Sequence, residues 1–148
     1  MGLVIGVSLV TALPVRATGH QVWWVAPSGS AANPASSGTG CGNPGYVGTT
    51  DAVIQTAIDG ASAGDEIKIC AGTYSIGATI TVNKELTLSG VGTSLPVLDG
   101  GGSTRILDIT TGGFGVTINA LHFRQGRATG TNDYGAGIRA SSDVTLYV

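Results

Sequence analysis

The sequence predicts an all-β fold in which short strands stack in repeats, and three observations support this. Gly is abundant, at 25 of 148 residues, while charged residues make up only 11%. The hydrophobic fraction of 42% distinguishes the chain from Gly-rich disordered linkers, which lack apolar residues to bury. An apolar-Thr-apolar pattern recurs at Leu86–Leu88, Val116–Ile118 and Val144–Leu146, so its first residues lie 30 and then 28 positions apart.

Each of these patterns belongs to a larger unit. A second strand signal precedes each one, at Ile80–Val82, Ile106–Ile109 and Gly137–Arg139. A third signal, Pro96–Gly100, follows the first unit, and we expect its next equivalent to be displaced by a loop over Arg127–Tyr134. The links are too short for crossover helices, and a hairpin meander has no reason to repeat every three strands.

A chain wound in turns of about 30 residues explains the repeat, because each strand then stacks on its equivalent at the sheet spacing. Leu86, Val116 and Val144 would form one inward row. The predicted fold is a right-handed single-stranded parallel β-helix, a solenoid with an N-terminal capping helix. The last residue, Val148, falls inside a strand signal, so we expect the solenoid to be truncated at the C-terminus.

The first two segments precede the repeats. Residues 1–17 resemble a signal peptide, with an apolar run at Leu3–Leu13 and small residues at Val15 and Ala17 before a cleavage site. A buried N-terminal strand or helix is the alternative. Residues 18–50 comprise a strand at His20–Ala26 and a Gly/Ser/Pro-rich surface loop from residue 27.

Residues 51–64 form the predicted capping helix, and residues 65–148 form the repeats. The pattern over Asp51–Ala61 places apolar residues on one face at helical spacing. Thr50 or Asp51 can cap the first turn. We expect the helix to cover the open end of the solenoid.

Composition excludes some functions and favours a compartment. A net charge of −2 without clustered Lys or Arg provides no surface for nucleic acid. No apolar run after residue 17 is long enough to span a membrane. The cysteines, Cys41 and Cys70, predict a disulfide in an exported protein, with two buried thiols as the alternative.

Several segments carry a resemblance to a known family. IQTAIDGASAGDEIKICAGTY, GATITVNKELTLSGVG, LDGGG and VTINALHFRQGRA resemble bacterial secreted right-handed parallel β-helix proteins of the pectate-lyase-like superfamily. Leu121–Gly126 and Gly135–Ile138 are similar to the repeats of polymorphic outer-membrane and autotransporter-type surface proteins. The resemblance implies a fold rather than one activity, because that fold hosts lyases, hydrolases, esterases and non-catalytic adhesins.

Two groups of residues are candidates for chemistry. Asp99 and Asp108 lie nine positions apart and can supply carboxylates to Ca²⁺, although Asp99 before three glycines is also a plain turn signal. His122 and Arg124 alternate onto one side of a strand, where Arg can hold a uronate carboxylate and His can move a proton. Asp133 is the nearest partner in sequence, and a solvated face is the alternative.

These observations lead to two functional expectations, with a structural solenoid spacer whose activity lies in another domain as the alternative. The first is a secreted or cell-surface protein that binds an extracellular polysaccharide or surface glycan without catalysis. The second is the N-terminal part of a polysaccharide-active enzyme, a lyase that uses Ca²⁺ for β-elimination.

Trp23 and Trp24 can stack on sugar rings, or at least one of them can seal the core. Exposed strand edges also predict edge-to-edge self-association.

Overall fold

The computed structural model describes residues 19–30, 37–110, 115–128, 134–141 and 145–147. These residues form mostly β-structure with a single α-helix, α1, over Asp51–Gly60. The strands are β1 Val22–Ala26, β2 Gly38–Gly40, β3 Asn43–Pro44, β4 Tyr46–Val47, β5 Glu66–Cys70, β6 Thr73–Ser75, β7 Ile80–Val82, β8 Leu86–Val91, β9 Val97–Asp99, β10 Leu107–Ile109, β11 Gly115–Asn119, β12 His122–Arg124, β13 Ile138–Ala140 and β14 Thr145–Tyr147.

The strands are distributed among separate sheets. The large sheet has the order β14-β11-β8-β5-β1-β4. The first small sheet is β13-β10-β7, and the second small sheet is β12-β9-β6. All of their pairings are parallel, whereas β2 and β3 form an antiparallel pair.

The predicted single-stranded β-helix is therefore wrong. Over the described residues, the fold is instead a mostly-β arrangement of several short, separate sheets with one helix. Equivalent strands of successive repeats pair with each other, but their hydrogen bonds join strands of one sheet and do not link the sheets. The N-terminal part also departs from the repeat, because the predicted loop after residue 27 contributes the β2-β3 pair and strand β4.

The predicted pairing of repeats is correct in its first half and wrong in its second. Val116 pairs with Leu86, as expected, and Ile118 pairs with Leu88. On the other side of β11, however, Val116 pairs with Leu146, two residues beyond the predicted partner. That partner, Val144, lies outside the described residues.

The third strand of the second repeat is not displaced by a loop. It follows β11 almost directly, as β12, and pairs with β9. The chain bends between the two strands at Ala120, whose φ of 53° interrupts the extended backbone. His122 and Arg124 consequently lie on a strand of their own in the second small sheet.

The helix begins and ends close to the prediction, but its ends are satisfied differently. No side chain caps its first turn, and Asp51 Oδ1 instead accepts a hydrogen bond from the Gly77 amide at 2.9 Å. At the other end, Lys84 Nζ donates to the carbonyl oxygens of Ile58 and Ala61 at 3.1 and 2.9 Å. A cation at this end also complements the helix dipole.

The helix side of the small sheets is closed by hydrogen bonds. Gln55 on α1 places its amide against the outer edge of β7, where Oε1 accepts from the Thr81 amide at 2.8 Å and Nε2 donates to the Thr81 carbonyl at 3.1 Å. The outer edge of β6 is covered by residues 49–50, since the Ser75 amide donates to the Thr49 carbonyl at 2.7 Å. These contacts satisfy backbone groups that an edge strand otherwise exposes.

The sheets and the helix share one hydrophobic core. Its fully buried members alternate along the strands and lie on one face of α1, as expected for amphipathic elements. They include Ile54, Ile58, Ile67, Ile69, Tyr74, Ile80, Leu86, Leu88, Leu98, Leu107, Ile109 and Val116. The opposite strand faces carry the polar side chains and hence the candidate sites.

Candidate functional site

The second small sheet brings Asp99 and Arg124 together. They lie opposite each other on β9 and β12, because Arg124 pairs with Asp99 in the register of the two strands. Arg124 directs both Nε and Nη2 at Asp99 Oδ2, at 3.2 and 2.5 Å. A residue predicted for metal binding and one predicted for substrate binding are thus ion-pair partners.

The pair leaves the arginine open to solvent. The Arg124 side chain is 49% exposed, against 17% for the side chain of Asp99. The Arg124 hydrogen bonds, followed by one from the Gly101 amide to Asp99 Oδ1, lower the pKa of the Asp99 carboxyl below its ordinary value. The Gly101 contact confirms that Asp99 also acts in the predicted turn. Asp99 therefore orients an exposed guanidinium.

His122 lies beside this pair. It precedes Arg124 by two residues on β12, and both are exposed while Phe123 between them packs toward the core. The predicted alternation is therefore correct. Thr73 and Ser75 on β6 complete the outer face of this sheet, and both are exposed. Asp133, the third predicted substrate contact, lies outside the described residues.

The first small sheet repeats the arrangement with Asp108 and Arg139. These residues pair in register on β10 and β13. Arg139 Nε donates to Asp108 Oδ1 at 2.9 Å, and its Nη2 contacts Oδ2. Asp108 is only 8% exposed, whereas the Arg139 side chain is 46% exposed. The hydrogen bond and then the charge of Asp108 raise the pKa of Arg139.

Arg139 was not predicted as a functional residue. The sequence did contain a signal for it. Leu107–Asp108–Ile109 and Ile138–Arg139–Ala140 match position by position, so the two opposite charges lie at the same position of two pairing strands. Opposite charges directly across a strand pair attract each other. The apolar residues of these segments define the repeat, so the pair of opposite charges was not recognised in the sequence.

The predicted Ca²⁺ ligands do not share a site. Asp99 and Asp108 lie in different sheets, and each is held by its own arginine. Calcium requires six to eight oxygen ligands, and a paired guanidinium competes for the carboxylate. Among the described residues, no group of three or more His, Cys, Asp or Glu side chains is placed to hold a metal ion. This arrangement of donors does not favour a shared Ca²⁺ site.

A further charged residue, Asp65, is buried at 4% exposure. Its carboxylate accepts hydrogen bonds from the Gln21 and Ser62 amides, each at 2.8 Å, and from Trp23 Nε1 at 2.9 Å. Burial alone would raise its pKa, but the Trp23 bond, the two backbone bonds and the charge of His20 together lower it. This carboxylate fastens strand β1 and has no open side for a ligand.

The two tryptophans lie on opposite sides of the large sheet. Trp23 pairs with Ile67 and packs against the core, with its ring 6.0 Å from that of Tyr46. Trp24 pairs with Lys68, whose ammonium lies 5.1 Å from the centroid of the indole ring. One tryptophan therefore seals the core, as predicted, and the other lies on the outer face.

The predicted disulfide is present. It joins Cys41 in the turn between β2 and β3 to Cys70 at the end of β5, with a Cα–Cα distance of 5.7 Å. It ties the N-terminal segment to the large sheet. The bond is compatible with an oxidising, extracellular environment.

Comparisons with known proteins leave the chain without an assigned family. No protein-family model, curated protein or solved structure matches it. Within the part of the chain that the structure describes, no helix is both long and apolar enough to cross a membrane. The resemblance to pectate-lyase-like proteins therefore remains a prediction.

Proposed function

We propose that this is an extracellular or cell-surface protein that binds glycans without catalysis, through exposed arginines on the outer faces of the two small sheets, which together are called the arginine surface. The observation that carries the proposal is the pair of exposed arginines, Arg124 and Arg139, each oriented by an aspartate on the neighbouring strand. A guanidinium held in this way has already lost much of its conformational freedom. It can therefore bind a carboxylate or sulfate at a lower entropic cost.

The chemistry of the surface favours binding over catalysis. A general base must be free to accept a proton, whereas Asp99 and Asp108 already accept hydrogen bonds from arginines. His122 adds a donor and acceptor beside Arg124 that can contact sugar hydroxyls. The disulfide supports the extracellular assignment.

The first experiment separates binding from cleavage. The protein is incubated with pectate, alginate and a glycosaminoglycan, in Ca²⁺ or in EDTA, while polymer binding and the absorbance of unsaturated uronates are followed together. We expect saturable binding without an absorbance increase. A Ca²⁺-dependent increase would instead establish a lyase, and failure to bind any of the polymers would contradict the proposal.

Variants then locate the surface. Replacing Arg124 by Gln removes a charge-assisted contact and should weaken binding about tenfold, since hydrogen bonds to charged groups contribute about 1.5–3 kcal/mol. Replacing Arg124 by Lys keeps the charge but loses the fork of donors, so the affinity of the Lys variant should lie between those of the wild type and the Gln variant. The same series at Arg139 tests the first small sheet. Unchanged affinity in both Gln variants would exclude the arginine surface.

A further inference from the structure

The outer face of the large sheet presents Trp24 in a fixed position. The residue is half-buried, while Trp23 beside it is held on the core side by its bond to Asp65. Lys68 Nζ lies 5.1 Å from the indole centroid of Trp24 and 3.7 Å from Glu66 Oε2. The ammonium therefore positions the aromatic ring and is balanced by a neighbouring carboxylate.

Polar residues continue from Trp24 across the sheet. In the parallel register, Trp24 on β1 pairs with Lys68 on β5, Lys68 with Ser89 on β8, and Ser89 with Asn119 on β11. Neighbouring strands lie about 4.8 Å apart, so these four residues form a row of about 14 Å at right angles to the strands. The row begins with an aromatic ring and continues with an ammonium, a hydroxyl and an amide.

We propose that this row is a binding track for a neutral pyranose chain, a second ligand site that extends the proposed glycan-binding function on which it rests. The C–H-rich face of a pyranose ring packs on the face of the indole that Lys68 does not cover, and dispersion contacts accumulate over the ring area. Sugar hydroxyls both donate and accept, as do the groups that follow Trp24. The Lys68 ammonium is balanced by Glu66 and the rest of the track is uncharged, so the track favours neutral sugars. The arginines are also paired, but a guanidinium has five N–H donors and keeps some of them for an anion.

Tryptophan fluorescence provides a direct test, because the chain contains only two tryptophans. The whole protein is titrated with soluble neutral polymers (a β-glucan, a xylan and a galactomannan) and with pectate for comparison. We expect at least one neutral polymer to change the emission of the wild type saturably. Trp24→Ala should lose that signal and at least tenfold in affinity by pull-down, while still binding pectate.

Two further variants protect the interpretation. Lys68→Gln keeps a polar side chain, one atom shorter, but removes the ammonium that orients the ring, and it should weaken neutral-polymer binding severalfold. Thr117→Ala changes an outward residue of the same sheet, in the row next to the track, and should leave binding of both polymer classes unchanged. Far-UV circular dichroism verifies that each variant is folded.

The outcomes distinguish the two proposals. The track would be overturned if the wild type bound no neutral polymer. It would also be overturned if Trp24→Ala and Lys68→Gln bound neutral polymers as tightly as the wild type does. In either case, pectate binding that depends on Arg124 would leave the proposed function intact. Failure of every polymer to bind would remove both proposals.

Discussion

Replacing Asp65 by Asn, an isosteric change of a buried carboxylate, should destabilise the protein. The carboxylate is buried and receives three hydrogen bonds, from the Gln21 amide, Trp23 Nε1 and the Ser62 amide. An amide of the same shape has one oxygen and one NH₂ group, so it cannot accept all three bonds.

The magnitude follows from these contacts. Asp65 Oδ2 accepts from Trp23 and Ser62, so the amide oxygen is best placed there. The NH₂ group then faces the Gln21 N–H, and this donor of a part-buried hydrogen bond loses its partner, at a cost near the lower end of about 1–3 kcal/mol. The two remaining bonds lose the strengthening that comes from a charged acceptor. We expect the free energy of unfolding to fall by about 2–4 kcal/mol at pH 7.

The same residue links stability to pH. Because the pKa of Asp65 is lowered in the folded state, its contribution is fully present above the unfolded value of about 3.9 and is lost as pH falls through the folded value. The difference in stability between the wild type and Asp65→Asn should therefore narrow below about pH 4. The Asn side chain does not titrate, so the variant should lose less stability on acidification.

Urea unfolding at pH 7 and at about pH 2.5, followed by tryptophan fluorescence, measures both effects. Asp59→Asn is the matched control, because Asp59 is exposed on α1 and its only described side-chain contact is with Gln55. It should change stability by less than about 0.5 kcal/mol. Equal stability of the two variants at pH 7 would refute the reasoning. A difference that is the same at both pH values would refute the assignment of the pH effect.

Three further predictions concern the architecture. Reducing the Cys41–Cys70 bond should lower the free energy of unfolding by about 3–4 kcal/mol, measured by urea unfolding with and without reductant, since the bond closes a loop with a sequence separation of 29. Gly90→Ala should cost more than about 2 kcal/mol in thermal unfolding, because its Cβ would lie 1.9 Å from a backbone carbonyl oxygen. Gly77→Ala, with only a side-chain oxygen at 3.7 Å, should be nearly neutral, and equal costs would contradict the steric argument. Gln55→Ala should expose the edge of β7 and destabilise by about 1–2 kcal/mol, and unchanged hydrogen exchange at that edge would count against its role there.

Local patterns in the sequence predicted local features well. The helical spacing of apolar residues located α1 to within one residue, and the Cys pair predicted the disulfide. The apolar-Thr-apolar repeat predicted the pairing of Leu86 with Val116 because matching alternation fixes a parallel register when one face is buried. In each case the determining interactions lie within a short window or between similar segments.

The fold class and the charged sites depended on information that such patterns do not carry. A repeat shows which strands are equivalent, but it does not show how hydrogen bonding is divided among sheets or where the N-terminal strands join. The break at Ala120 was also missed, because Ala is not a residue that signals a positive φ. Arg139 and Asp65 were overlooked because their partners lie 31 and up to 44 residues away in sequence.

The Gln55 amide and residues 49–50 cover the helix-side edges of both small sheets. A further strand is therefore hindered from pairing with the sheets on this side. An extended peptide that meets the chain from this side finds the Thr81 amide and carbonyl of β7 and the Ser75 amide of β6 already occupied. Co-aggregation through these two strands is therefore disfavoured while α1 stays folded. Gln55 should therefore be preserved when a partner domain is fused near α1. Its loss would expose the edge of β7 to pairing with strands of other molecules.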